Sequence, residues 1–281
     1  MNKPDLTVSD YLKWVNESHY VEGLFEKDTM YQDHVYFRGQ ASVSWELLPS
    51  LFRDSERIHD ENMMLEMANN MLWTELNDCR SDLEKMIRLQ HYGLHTRLLD
   101  ITYNPLVALF FACQTPSKPD DDKDGVVYCG YKEGANTKTS YTIAEYVFNH
   151  NVFDINQTAF ENICKKNNVT QEDCGTIHLI TPPLNNPRIS AQNGAFIMSP
   201  LIKKDVDSHF YIATQADIKK ELKTAFMKRY IIPENSKSSI IEELDYLGFN
   251  KATIFVDITQ KLQYINEKED KETMWKIYLN G

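Results

Sequence analysis

Residues 89–113 read LQHYGLHTRLLDITYNPLVALFFAC and place two charged side chains beside a long apolar run. Arg97 and Asp100 stand next to leucines in a segment that leads toward the protein interior, where a charge is costly unless it is paired or used. Their spacing of three predicts that they pair with each other or with another element and brace the next turn. Asn104 followed by Pro105 is typical of a helix start, so the run after it is expected to form a buried helix.

The composition is that of a globular protein. The chain has 281 residues, 42% of them apolar, which is enough for a sizeable core. No run approaches the roughly 20 apolar residues of a membrane span, and the first residues lack the apolar core of a signal peptide. The five cysteines are scattered without CxxC spacing, so neither a disulfide framework nor a zinc site is expected. These features predict a cytoplasmic protein with no membrane partner.

The net charge bears on the class of partner. With 30 Lys and Arg against 41 Asp and Glu, the chain carries a formal charge of -11. Such a charge repels phosphate backbones on average, so broad nucleic-acid binding is not expected. Residues 218–229, IKKELKTAFMKR, are a local exception. They are interpreted either as the solvated face of an ordinary helix or as a basic ledge for a phosphate-bearing partner.

Hydrophobic periodicity predicts an α+β fold with a single domain, in which helices flank a central mixed or antiparallel sheet. Residues 34–40, HVYFRGQ, are typical of a strand, and a last strand is expected at 252–258, ATIFVDI. Residues 56–91 show helical spacing with a break near 79–82. Their methionine stripe is expected in the core, because methionine fills irregular gaps. Its members are Met63, Met64, Met67 and Met71.

Three polar clusters fall beside predicted strands or turns, where a rigid scaffold presents side chains to a ligand. They are YFRGQ (36–40), HTRLLDIT (95–102) and RISAQNGAF (188–196). Arg38 is a candidate to grip a diphosphate or carboxylate through two parallel bonds, or else to form a structural ion pair with Asp100. Gln192 is either a turn residue or a site residue.

The two histidines that flank Gly93 leave two interpretations open. His91 and His95 are either general acid or base groups or ordinary hydrogen-bonding residues. Asp100 as a metal ligand has little support, because no second carboxylate or histidine follows at ligand spacing. No metal is therefore expected.

In order and spacing these motifs resemble the FRG domain, named for phenylalanine, arginine and glycine. YFRGQ, HYGLHTRLLDIT and RISAQNGAF carry the resemblance. It implies an N-terminal helical extension at 1–32, an FRG domain at 33–262 and a C-terminal tail at 263–281. His95 stands where the family usually has proline, and Ile101 where it usually has tryptophan. The family is often bacterial and is sometimes encoded near mobile or defence genes.

A more distant resemblance links VYFRG, LLDITYNPLVALFFA and SAQNGAFIM to ADP-ribosyltransferases, with Gln192 near the place of their glutamate. It implies an ADP-ribosyltransferase-like core that binds NAD. Arg38, Thr102 and Gln192 would then be catalytic, although a glutamine cannot act as a general base. The residues that would bind NAD are Arg38, Gly39, Tyr92, Thr102 and Phe110. Arg97 and Asp100 would support the site.

The resemblances imply a toxin or antiphage effector that transfers ADP-ribose from NAD to an unknown macromolecular acceptor, or that is triggered by a phage component. NAD glycohydrolase activity would use the same parts. One alternative is a non-catalytic interaction module that recognises a phage protein or a nucleic-acid end through Arg38 and the 219–229 helix. Another is a nuclease that uses His91, Arg97 and Asp100, for which the set of metal ligands is thin.

Overall fold

The computed structural model of the protein describes residues 6–19, 35–116, 118, 121–131, 137–152, 156–182 and 186–269. The described residues form an α+β fold with a six-stranded antiparallel sheet and a separate hairpin. The strands are β1 (Val35–Gln40), β2 (Leu98–Thr102), β3 (Gly125–Tyr131), β4 (His178–Ile180), β5 (Gly194–Met198), β6 (Ile202–Lys204), β7 (Phe210–Ile212) and β8 (Lys228–Ile232). The sheet order is β4-β5-β2-β1-β3-β8, and β6 pairs with β7.

Helices surround this sheet. They are α1 (Val8–His19), α2 (Glu61–Met71), α3 (Trp73–Leu76), α4 (Asp82–His91), α5 (Pro105–Ala112), α6 (Thr137–Asn149), α7 (Gln157–Asn167), α8 (Pro187–Ala191), α9 (Gln215–Ala225), α10 (Glu234–Tyr246), α11 (Lys251–Ile254) and α12 (Ile258–Glu269). Short 3₁₀ helices lie at Ser50–Arg53 and Ser55–Ile58. No helix among the described residues is both long and apolar enough to span a bilayer.

Alternation along β1 divides the core between the two faces of the sheet, as period-two side-chain placement requires. Val35 and Phe37 pack with α1, α5 and α10 on one face. Tyr36 packs on the other face, against the Ser50–Arg53 segment and α9. A further cluster is formed by α2, α4, α6 and α7 against the ends of β2 and β5. Every strand pair of the six-stranded sheet is antiparallel, which confirms the antiparallel form of the predicted sheet.

Helix α5 lies directly on the sheet, because two glycines leave room for its backbone. A Cβ atom at Gly39 of β1 would stand 1.9 Å from the Ala108 carbonyl oxygen, and one at Gly125 of β3 would stand 2.1 Å from the Ala112 carbonyl oxygen. The helix begins as the sequence predicts. The Asn104 side chain accepts a bond from the Leu106 amide, with Pro105 at the first helical turn.

The sheet opens at its centre. β1 pairs with β3 over six residues and β2 pairs with β5 over five, whereas β1 and β2 are joined only by Phe37 and Thr102. In a continued antiparallel ladder Gly39 would stand opposite Asp100. Instead the two strands part after this pair, and the gap between them is spanned by a side chain, described below.

The buried charge of the opening segment belongs to an ion pair with another helix. Arg97 and Glu61 are each 1% exposed, and Arg97 Nε donates to Glu61 Oε1 at 2.7 Å while Nη2 donates to Oε2. Arg97 Nη1 also donates to the Pro200 carbonyl at 3.0 Å, and the guanidinium lies 5.9 Å from the Phe52 ring centroid. The pair therefore ties the start of α2 to the start of β2 and the end of β5.

Three of the four methionines of the stripe lie outside the core, whereas Met64 packs against it. α2 buries Glu61 and Leu65, whereas Met63, Met67 and Met71 are each more than half exposed. Methionines two positions from the buried residues are turned by about 200° around a helix of 3.6 residues per turn, so they lie on the opposite side. The helix was predicted correctly, but its buried side carries Glu61, which pairs with Arg97.

Two further expectations about elements were wrong. The last predicted strand, ATIFVDI, begins within α11, because the Asn250 side chain accepts bonds from the Ala252 and Thr253 amides in a capping box. The predicted basic helix ends at Ala225, and Lys228 begins strand β8. The basic ledge is thus divided between a helix and a strand.

Breaking the buried ion pair is expected to destabilise the protein strongly. Arg97→Met leaves the Glu61 carboxylate buried without its partner, which should lower the free energy of unfolding by about 3–5 kcal/mol. Asp100→Asn, at an exposed position, should change it by less than about 0.5 kcal/mol. Urea denaturation measures both. The double variant Glu61→Leu/Arg97→Met should lose less than Arg97→Met, and an equal or larger loss would contradict this account.

Candidate functional site

A cavity of about 290 Å³ lies where β1 and β2 part. Its walls come from β1, β2 and β5, the end of α4, one side of α5, and α8. The polar side chains that line it are Arg38, Gln90, His91, Asp100, Thr102, Arg188 and Gln192. Arg38, Asp100 and Gln192 are therefore brought to one place although they are far apart in the sequence. Their functional roles stay predictions.

Arg38 spans the gap between the two strands. Its Nη1 donates to the backbone carbonyl of Asp100 at 2.6 Å and lies 4.0 Å from the Asp100 carboxylate. Its Nε is buried and has no hydrogen-bond partner among the described residues. Burial lowers the pKa of Arg38 to about 10, so the guanidinium stays charged at neutral pH. The predicted ion pair with Asp100 is present, but at a long distance. Donors of the Arg38 guanidinium therefore remain available for another acceptor.

Asp100 does not pair with Arg97 and is not buried. Its side chain is 67% exposed, and its carboxylate accepts a bond from Gln90 Nε2 at 2.9 Å. Gln90 Oε1 in turn accepts a bond from the Thr96 hydroxyl. The spacing of three was compatible with a local pair, but strand β2 turns Arg97 and Asp100 to different surroundings. Asp100 is the only acidic residue among the described residues that line the cavity.

A second guanidinium reaches the cavity from α8. Asn186 caps this helix through the Arg188 and Ile189 amides, and Pro187 occupies its first turn. Arg188 lies 5.4 Å from the Phe255 ring centroid and has no carboxylate within 4.0 Å among the described residues. Sequence reasoning gave Arg188 no role. The Asn-Pro dipeptide before it repeats the helix-start signal of α5 and would have placed it on a helix end beside the site.

Thr102 and Gln192 hold the cavity wall together. The Thr102 hydroxyl donates to the Gln192 carbonyl at 2.6 Å and accepts a bond from the Asn104 amide at 3.0 Å. Gln192 Nε2 donates to the Ile254 carbonyl at 3.3 Å. These bonds fix the end of β2 to α8 and α11. The Thr102 hydroxyl therefore already donates and accepts a hydrogen bond within the protein. It has little remaining hydrogen-bonding capacity for the predicted contact with a ribose.

Neither residue predicted to supply an aromatic face lines the cavity. Tyr92 is 76% exposed and does not line the cavity, and Phe110 is buried in the core beside a second cavity. The aromatic side chains at the cavity are Phe37, Phe111 and Phe196. Gly39 lines the cavity as predicted, and the close approach of α5 explains why a glycine stands there.

Two histidines, His91 and His95, have lowered pKa values. Burial lowers the pKa of His91, and the nearby Arg188 lowers it further, while Asp100 and Asp257 oppose the shift. Burial also lowers the pKa of His95, with Arg57 and Arg53 adding to the effect. A lowered pKa makes both imidazoles neutral at pH 7. His91 lines the cavity, whereas His95 stands outside it.

Residues 33–121 match the family model of the FRG domain. The match includes Arg38, His91, Asp100 and Thr102, and it ends before Arg188 and Gln192. The wider span of 33–262 stays a prediction. Comparisons with curated proteins and with solved structures gave no match.

The two histidines are expected to make the protein less stable in mild acid. Their folded-state pKa values lie below the ordinary 6.5, so the unfolded chain takes up protons first as the pH falls. Stability is then fully present above about pH 6.5 and is lost below it. Urea midpoints at pH 7.5 and pH 5.5 should differ more for the wild type than for His91→Gln/His95→Gln. An equal difference would show that other groups set the acid sensitivity.

Proposed function

We propose that the cavity binds the phosphate-bearing part of a nucleotide of the NAD class. The observation that supports this most is the pair of guanidinium groups, Arg38 and Arg188, which reach one small cavity from β1 and α8. A planar guanidinium matches the geometry of a phosphate through two parallel bonds. The chain as a whole has a charge of -11, so two arginines at one cavity are a local departure that suits an anionic ligand.

The size of the cavity limits what it encloses. About 290 Å³ is at the lower end of the roughly 300–1,000 Å³ of small-molecule pockets. It suits one nucleoside with its phosphate, and the rest of a dinucleotide would lie outside. Phe37, Phe111 and Phe196 supply apolar faces for a ring.

Binding is tested by calorimetric titration of the purified protein with NAD and ADP-ribose. The wild type should bind, and Arg38→Gln and Arg188→Gln should each weaken binding at least about tenfold, since each removes charge-assisted bonds worth about 1.5–3 kcal/mol. Arg80→Gln is the matched control. It removes an exposed arginine just before α4, at the end opposite to Gln90 and His91. A wild type that binds neither compound would favour the non-catalytic interaction module instead.

A second proposal is the transfer of ADP-ribose, which the carboxylate of Asp100 supports. In this reaction the bond between nicotinamide nitrogen and ribose C1 breaks, the acceptor oxygen or water binds C1, and its proton passes to a base. Gln192 cannot take that proton, whereas Asp100 lines the cavity with an exposed carboxylate that accepts a bond from Gln90. On the resemblance alone, we propose that the acceptor is a macromolecule and that the setting is a toxin or antiphage effector.

Nicotinamide release measures this step. Asp100→Asn should lower the rate by about 100-fold or more, in line with the loss of a general base, while leaving thermal stability nearly unchanged. Gln192→Glu adds a carboxylate to the cavity but loses its bond to the Ile254 carbonyl. It should therefore release nicotinamide faster than the wild type and melt at a lower temperature. Equal rates in the wild type and Asp100→Asn would exclude Asp100 as the base.

A further inference from the structure

A second cavity, of about 750 Å³, lies between the end of α5 and the helices α10 and α12. It shares no lining residue with the first cavity, so the two are separate sites. Its apolar walls include Phe110, Ile241, Phe249 and Tyr264. The volume falls within the roughly 300–1,000 Å³ of small-molecule pockets. The cavity is therefore large enough to enclose a small apolar molecule.

A buried lysine stands in the wall of this second cavity. Lys237 of α10 lines the cavity and is only 8% exposed, although lysine is rarely buried without a partner. Its Nζ donates to the Ala41 carbonyl at 2.6 Å and to the Gln114 carbonyl at 3.2 Å. Ala41 follows β1 and Gln114 follows α5. These two bonds hold the ammonium group in a fixed position.

The charge of Lys237 is not neutralised by a carboxylate. None lies within 4.0 Å of its Nζ in the part of the chain that the structure describes, and Glu234 of the same cavity is paired with Lys123 instead. The Cys113 thiol also lines the cavity, but burial raises its pKa to about 12, so it stays neutral. An ammonium group has three donors, so the two backbone carbonyls leave one donor for a ligand.

We propose that the second cavity binds a small organic acid, whose carboxylate pairs with Lys237 while its hydrocarbon part packs against the apolar walls. One remaining donor matches a monoanion, whereas a phosphate is normally held by several donors. Glu242 and Asp245 also line the cavity and would repel a second negative charge on the ligand. This site goes beyond the proposed function, because it uses none of the residues of the first cavity.

Octanoate and 1-octanol test the proposal, since they share a hydrocarbon chain and differ in charge. In calorimetric titrations of the full chain, octanoate should bind at least about tenfold more tightly than 1-octanol, because its carboxylate forms a charge-assisted bond. In Lys237→Met this difference should fall below about twofold, because the cation is removed. Lys220→Met is the matched control. It removes the same charge from an exposed position on α9 that does not line the cavity, and it should keep the full difference.

A second variant decides the matter if Lys237→Met does not fold. Ile241→Trp fills the cavity from α10 and keeps Lys237, so it should weaken the binding of both probes by at least about tenfold. Unchanged binding in Ile241→Trp would place the probes elsewhere and overturn the proposal. Equal affinities of the wild type for octanoate and 1-octanol, or no binding of octanoate, would overturn it too. Inorganic phosphate that binds as tightly as octanoate would also contradict it, because the hydrocarbon part would then contribute nothing.

Discussion

The parting of β1 and β2 after a single residue pair is the constraint on which the site depends. Strands in the middle of a sheet normally satisfy their backbone groups by pairing, and an unpaired group in the interior is costly. Here the Asp100 carbonyl accepts its bond from the Arg38 side chain instead. A guanidinium thus takes the place of a strand neighbour, and the space it bridges becomes the cavity.

What keeps the two strands apart is packing on either side of the gap. α5 sits against β1 and β3, so closely that Gly39 and Gly125 admit no side chain. On the other side, the pair of Arg97 and Glu61 fixes the start of β2 to α2 and to the end of β5. β2 therefore follows β5 while β1 follows β3, and the sheet is held as two halves that meet at Phe37 and Thr102.

Arg38 and Arg97 show why residue type alone did not assign roles. Both stand in apolar motifs, and the sequence treated both as candidates for a pair with Asp100. Arg97 forms hydrogen bonds with the buried carboxylate of Glu61, so its role is structural. Arg38 binds a backbone carbonyl and lies far from the nearest carboxylate, so some of its donors have no partner. The partner of Arg97, Glu61, is 36 positions away in the sequence. It lies on the buried side of α2, whereas the sequence analysis expected the methionines of that helix to be buried.

Local signals predicted local structure well and long-range placement only in part. The sequence predicted the Asn-Pro start of α5, the strand character of YFRGQ and the glycine at the start of β5, because each depends on neighbours in sequence. The strand prediction for ATIFVDI was wrong because it, too, depended on local sequence alone. Its β-branched run outweighed a cap at Asn250 that is visible only as a single residue. Arg188 and Phe111 were missed because only the tertiary fold brings them to the cavity that Arg38 lines.

The charge distribution favours a small anion over a long one. Salt largely screens the attraction between an arginine near the cavity and a ligand charge that lies more than a Debye length away, about 8 Å at physiological salt. A nucleic-acid strand that extends past the site must then cross the surface of a chain with a net charge of -11, and each further phosphate adds repulsion. A small anion of the proposed kind lies within reach of Arg38 and Arg188 and meets only their local field. Under the proposed function, the same acidic background that argues against broad nucleic-acid binding would make the few arginines at the cavity selective for a compact ligand.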